Sequence, residues 1–175
     1  MTIPTSDESM KSWVEEERFL VLERTFDAPR QLVFSCFSEA NHLKEWWGPR
    51  GWDLPVCKVD FRPEGVWHYC MKCIDEGMGE FYGMESWGKA IYREIEAPER
   101  IVYTDYFSDE EGNTAEGMPD TLITLQFEDS SGKTRVMNRA EFESGEALNT
   151  VLEMGMLQGI TETWDRLAEH LEKVK

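Results

Sequence analysis

The residues of this chain best placed to do chemistry are aromatic and sulfur-bearing rather than acids, bases or nucleophiles. Trp67, Tyr69 and Met71 occupy alternate positions of one extended segment, and Cys57, Val59 and Phe61 do the same in the segment before it. Residues two apart share a face of a strand, so each set presents one apolar surface. Trp46 and Trp47 end a short helical stretch, Trp52 opens the next extended one, and Trp87 sits on another. Met154, Met156, Leu157 and Ile160 fall within the longest helical stretch, near the C-terminus. Methionine adapts to irregular apolar shapes. Trp and Tyr join a large apolar body to one hydrogen-bonding atom. Such a surface binds small hydrophobic or aromatic molecules where it lines a cavity, and is an ordinary core where the space is filled. The residues expected to line a ligand cavity are Trp46, Trp47, Trp52, Phe61, Trp67, Tyr69, Met71, Trp87, Met154, Met156, Leu157 and Ile160.

Bond-making chemistry is poorly served. No Ser-His-Asp set or G-x-S-x-G elbow can be assembled. An acid–base enzyme would have to draw on His68, Asp105, Tyr103 or Glu85, and no catalytic residue is assigned. Cys70-Met71-Lys72-Cys73 spells C-x-x-C, but strand positions three apart face opposite ways. His68 shares a face with Cys70, yet no fourth ligand for zinc is evident. Redox C-x-x-C pairs begin helices, and this one does not. His42, beside Lys44, and His170, near the C-terminus, read as solvated. The acidic runs Glu15–Glu17 and Asp109–Glu111 lack the spacing of a calcium loop and read as solvated surface. Neither a metal nor a cofactor is expected.

With 175 residues, 41% apolar and 12% aromatic, the chain has the size and core material of one globular domain. Lys and Arg number 18 against 35 Asp and Glu, for a formal charge of −17. That field repels a phosphate backbone and an anionic membrane face, so neither nucleic acid nor membrane is an expected partner. No apolar run is long enough for a membrane-spanning helix. Met1–Glu17 lacks the charged-then-apolar order of a secretory signal. The 4 cysteines show no framework spacing, which suits reduced thiols and a cytoplasmic location.

These residues need elements to position them. Residues 1–17 read as a mobile acidic extension and 18–175 as the domain. Arg18–Phe26 is rich in bulky and β-branched residues and predicts a strand, stopped by Asp27-Ala28-Pro29. Two short helices follow, Arg30–Phe37 and Ala40–Trp46, ended by Gly48-Pro49-Arg50-Gly51. Trp52–Arg62, Gly65–Ile74, Met84–Ile95, Arg100–Phe107, Thr121–Glu128 and Lys133–Phe142 predict strands separated by turn residues. Ser144–Lys173 has no proline, a fair N-cap in Ser144, and apolar residues every three or four positions. It predicts one long helix. Gly155 and Gly159 within it suggest a close approach, an opening or a bend. A seven-stranded antiparallel sheet with one apolar face must be covered, and only the C-terminal helix is long enough. The expected class is α+β: a helix-grip fold, with a curved antiparallel sheet, two short helices and one long C-terminal helix.

This order and four stretches together resemble the START-like (birch-pollen-allergen-like, SRPBCC) superfamily. Within it, the chain is similar to bacterial proteins related to the C-terminal domain of the activator of the heat-shock chaperone ATPase. The stretches are FDAPRQLVFSCFSEANHLKEWWGP from Phe26, KVDFRPEGVW from Lys58, WGKAIYREIEAPERIVYTDYFSDEEG from Trp87, and MLQGITETWDRLAEHLEK from Met156. Three positions depart from the family pattern: Glu64-Gly65 stands for Gly-Gly, Ala97-Pro98-Glu99 for Pro-Pro-Glu, and Gly159-Ile160 for Gly-Trp. The last puts a smaller side chain on the gripping helix and implies a roomier or reshaped cavity. The segment Gly77–Gly83 occupies a loop position near an expected mouth.

The resemblance implies the fold more firmly than the function. The leading expectation is a module that holds a small apolar or aromatic molecule between helix and sheet. A chaperone co-factor or stress-response accessory is the alternative, its acidic surface suited to a basic partner. A cyclase or hydrolase using the same cavity is the third reading. The chain is expected to be a monomer or homodimer.

Overall fold

The structure is a computed structural model that describes residues 10–175. One antiparallel sheet runs through it, with strands β1 (Lys11–Glu15), β2 (Phe19–Phe26), β3 (Trp52–Val59), β4 (Val66–Cys73), β5 (Glu85–Glu96), β6 (Arg100–Phe107), β7 (Thr121–Ser130) and β8 (Lys133–Glu141). Their order across the sheet is β1-β2-β8-β7-β6-β5-β4-β3. From β3 to β8 each strand pairs with the next in sequence, a meander, and β2 closes onto β8. Helices α1 (Arg30–Ser38) and α2 (Ala40–Trp46) connect β2 to β3 across the length of the sheet. A 3-10 turn, Glu76–Phe81, links β4 to β5.

Among the described residues the sheet has eight strands, one more than expected. The additional strand is β1, within the segment expected to be a mobile extension, and it pairs with β2 from Lys11↔Glu23 to Glu15↔Phe19. Its connection passes through Glu16 and Glu17, both at positive φ (49° and 65°). Such backbone is usually signalled by Gly or Asn, so three glutamates in a row read as tail rather than turn. The part of the expected extension before residue 10 lies outside the described residues.

The C-terminal stretch is two helices, not one: α3 (Gly145–Glu153) and α4 (Met156–Val174). Ser144 caps α3 by accepting a hydrogen bond from the Ala147 amide at 3.1 Å. Gly155 makes the break. Its φ of 85° and ψ of 20° lie in the left-handed region, so the ladder cannot continue and α4 starts afresh from it.

Alternation along the strands turns one face toward α1, α2 and the C-terminal helices. Trp67 and Tyr69 of β4, Ala90 and Tyr92 of β5, Ile101 and Tyr103 of β6, Leu125 and Phe127 of β7, and Val136 and Ala140 of β8 are all buried. Trp164 of α4 is 1% exposed and packs on Phe26 (centroids 5.7 Å apart) and edge-on to Phe37 (6.4 Å). Phe127 meets Phe34 at 5.2 Å and Phe37 at 5.3 Å. This aromatic cluster fills the space under the C-terminal half of α4. Polar ties fix the helix from outside: Arg24 pairs with Asp165 at 2.6 Å. Arg166 donates to the carbonyls of Gly48 (2.8 Å) and Trp52 (3.1 Å) at the start of β3. No helix among the described residues is long and apolar enough to cross a membrane.

Candidate functional site

Under the N-terminal half of α4 the packing changes. Residues Met156, Gly159, Ile160 and Thr163 recur at helical spacing on one stripe of α4 and face a cavity of about 360 Å³ rather than filled core. Val151, Met154 and Gly155 complete this side. The opposite wall is the inner sheet face: Leu20 and Leu22 of β2, Tyr69 and Met71 of β4, Tyr103 and Asp105 of β6, Ile123 of β7, Asn138 and Ala140 of β8. Trp47, Gly48 and Pro49 close one end. Met154, 57% exposed, stands at the rim. A volume of this size lies within the range of sites that take small organic molecules, roughly 300–1,000 Å³. The gap exists because the break at Gly155 lets α3 and α4 arch over the sheet, and because Gly159 places no side chain beneath the arch. A Cβ built on Gly159 meets no atom within 4 Å.

A second glycine shapes the floor. Gly88 pairs with Tyr69 across β4 and β5. A Cβ at Gly88 would overlap the Tyr69 ring, so only glycine lets that ring lie flat across the neighbouring strand. Tyr69 and Trp47 are backed by further aromatics: Trp67 meets Trp47 edge-on at 4.8 Å, Trp46 meets Trp47 edge-on at 5.5 Å, and Trp67 lies tilted against Tyr69 at 4.6 Å. Trp46 Nε1 donates to the Cys36 carbonyl at 3.0 Å, which pins its ring.

Few polar groups reach the cavity, and two of them are not at rest. The Tyr69 hydroxyl donates to Asp105 Oδ1 at 3.2 Å. Burial pushes the Asp105 carboxyl up to about 7, against the pull of the hydrogen bonds from the Tyr69 hydroxyl and the Tyr106 amide. Asp105 keeps some accessible surface, but it borders the cavity, where that surface is walled by protein. Burial, with the Asp105 charge second, likewise holds the Tyr69 and Tyr103 phenols well above their ordinary range. Asn138 is 8% exposed, and its Oδ1 has no hydrogen-bond partner. An unpaired buried acceptor costs about 1–3 kcal/mol.

The Asp105 shift has a direct consequence. Its ordinary value is 3.8, so between about pH 4 and pH 7 the folded protein holds a proton that the unfolded chain has released. The carboxyl therefore costs nothing below about pH 4, and its cost grows as pH rises to 7 and is complete above it. Asp105→Asn keeps an acceptor for Tyr69 and removes the titration. In urea denaturation the variant should gain on the order of 2 kcal/mol over the parent between pH 5 and pH 8. A constant difference across that range would contradict the burial of this group.

Of the residues expected to line a ligand cavity, Trp47, Tyr69, Met71, Trp87, Met154, Met156 and Ile160 border this one. Trp87 does so from the wrong side. It pairs with Cys70, while Gly88 pairs with Tyr69, and its ring stacks on His68 (5.1 Å) across the other face of the sheet. Trp46 and Trp67 form the layer behind the wall. Phe61 lies edge-on to Phe34 (5.9 Å) and Tyr92 (4.9 Å) in the core. Trp52 and Leu157 are partly buried outside the cavity lining. No residue of Gly77–Gly83 lines it, contrary to the expected mouth. Of the acid–base candidates, Tyr103 and Asp105 reach the cavity. His68, whose Nε2 lies 3.0 Å from the Asp109 carbonyl, and Glu85, which accepts from Trp87 Nε1, do not. Asn138 was not anticipated, although Val136-x-Asn138-x-Ala140 places an amide among inward apolar positions. The C-x-x-C pair stays apart: all four cysteines are free, Cys70 Sγ pointing to the Met71 carbonyl and Cys73 Sγ to Asp75 and Met78.

A helix pair arched over an eight-stranded antiparallel sheet, with an apolar cavity between them, defines a START-like protein of the α+β class. The chain belongs to the family described as activator of Hsp90 ATPase homolog 1-like protein, whose model matches residues 27–172. A protein of known structure from Arthrobacter aurescens is 26% identical, with a TM-score of 0.83 over 93% of this chain and 91% of its own. One from Staphylococcus epidermidis is also 26% identical, with a TM-score of 0.78 over 93% and 94% of the two chains. A protein from Rhodobacter sphaeroides, 18% identical, shares the fold with a TM-score of 0.80 over 94% and 99%. Among curated proteins none matches this chain.

Proposed function

We propose that this protein binds a small, largely apolar, aromatic molecule in the cavity between α3–α4 and the sheet, and acts as a carrier or sensor of it. The observation that supports the reading is the pairing of about 360 Å³ of apolar space with a polar end made of Asp105 and Tyr69. Apolar walls supply affinity at about 25 cal/mol per Å² buried. The polar end supplies orientation, because the Asp105 carboxyl and the Tyr69 hydroxyl both accept hydrogen bonds. A hydroxyl or N–H on one edge of a flat ring system meets this pair, whereas a plain hydrocarbon leaves it without a partner on the ligand. The reading favours phenols and polyketide-like rings over simple fatty acids, whose carboxylate would meet Asp105.

Thermal denaturation with a flavonoid, a polyketide phenol and a long-chain fatty acid tests it. The hydroxylated ring compounds should raise Tm in proportion to the logarithm of their concentration, by roughly 5–10 °C at a hundredfold excess over Kd. No shift with any of the three would overturn the reading.

A further inference from the structure

The two histidines expected to be solvated meet each other. His42 of α2 and His170 of α4, 128 residues apart, bring Nδ1 and Nε2 to 2.9 Å. His170 is 8% exposed. Cys36 of α1 is fully buried beside them, and its Sγ and one nitrogen from each ring all lie within 4.8 Å of one another. Three helices thus aim one thiol and two imidazoles at a single point, on the far side of Trp164 from the cavity.

We propose that Cys36, His42 and His170 form a zinc site that clamps the C-terminal half of α4 to α1 and α2. The donor set selects the ion: one sulfur and two imidazoles suit Zn²⁺ and exclude the hard cations Ca²⁺ and Mg²⁺, which take oxygen. Bond lengths of about 2.0–2.3 Å in a tetrahedral site set ligand atoms roughly 3.3–3.6 Å apart. The present spacing reaches that by small side-chain rotations. On binding, the thiol releases its proton to solvent, and the proton shared by the histidine pair passes, through solvent, to the other nitrogen of the ring that carried it, so that His42 Nδ1 and His170 Nε2 both turn a lone pair to the ion. Two carboxylates lie close enough to help offset the ion's charge, Glu39 toward Cys36 and Glu45 toward His170, while Lys173 opposes them. Three protein ligands leave the fourth position to water. His42, only half-buried, gives the ion its way in.

The test uses the full chain, freed of metal by a chelator and titrated with Co²⁺ and then Zn²⁺. Co²⁺ should bind one per chain, with the visible bands of a tetrahedral ion and a near-ultraviolet sulfur-to-cobalt charge-transfer band. Zn²⁺ should displace it with a Kd tighter than about 1 μM and raise Tm. His42→Gln, at a half-exposed helix position that tolerates the change, should keep the fold and weaken Zn²⁺ binding by about 100-fold. Cys36→Ser should abolish the charge-transfer band. The combined change Cys57→Ser, Cys70→Ser and Cys73→Ser should leave binding intact. Absence of the charge-transfer band, binding unaltered in His42→Gln, or binding lost only in the triple variant would each overturn the proposal.

Discussion

Gly159→Trp should close the ligand site while leaving the protein folded. Gly159 lies in the stripe of α4 that faces the cavity, and a Cβ there meets nothing within 4 Å. An indole at this position enters the space that Ile160 leaves open beside it. Displacing ligand volume from a fixed apolar cavity costs about 1–3 kcal/mol, so a flavonoid should bind about 10- to 200-fold more weakly. The same change removes a glycine from a helix interior, worth up to ~1 kcal/mol of stability. Weaker binding in a chain of equal or greater stability is a signature that general unfolding cannot produce. Fluorescence titration of a flavonoid against parent and variant, with urea denaturation of both, reads the two effects separately. Unchanged affinity would place the ligand elsewhere.

Trp164→Ala should have the opposite profile, with stability lost first. Its ring is 1% exposed and bridges Phe26 of β2 and Phe37 of α1. Removing it deletes the largest side chain between α4 and the sheet and leaves a hole that rigid strands cannot close. The expected loss is about 3–5 kcal/mol, a large share of the ~5–15 kcal/mol that holds a domain of this size. Urea denaturation measures it directly. A loss under 1 kcal/mol would mean that α4 is held by its outer ion pairs, Arg24–Asp165 and Arg50–Glu169, rather than by this aromatic contact.

Local patterns made much of this fold legible. The strand and helix order from Arg18 onward follows from apolar periodicity and turn residues, each acting within a few positions. Two elements escaped for a physical reason. β1 turns through glutamates at positive φ, and α3–α4 divide at a glycine whose left-handed backbone no periodicity reveals. The site divides in the same way. Alternation correctly groups Trp67, Tyr69 and Met71 on one face. It cannot decide which face of the next strand joins them, because that depends on register: Gly88 lies opposite Tyr69 on the cavity face, while Trp87 borders the cavity from the strand's other face. Trp46, Trp67 and Phe61 were placed on the correct side of the sheet but at the wrong depth. Depth is set by how α1 and α2 fold back, a long-range property. The meeting of His42 and His170 had no local signal at all. Asn138 and Asp105 did have one, a polar residue where alternation demands an apolar one, and such violations of pattern are where function concentrates.

The most direct test of a ligand between helix and sheet is a methyl NMR titration with a hydroxylated flavonoid. The methionine methyls of Met71, Met154 and Met156 and the δ-methyl of Ile160 border the cavity. Met84, 51% exposed, lies outside the lining and serves as the control. Ligand in the cavity should shift all four cavity signals along one saturable curve and leave Met84 in place. Saturation with the four unmoved, or movement of Met84 alone, would contradict a binding site between α4 and the sheet.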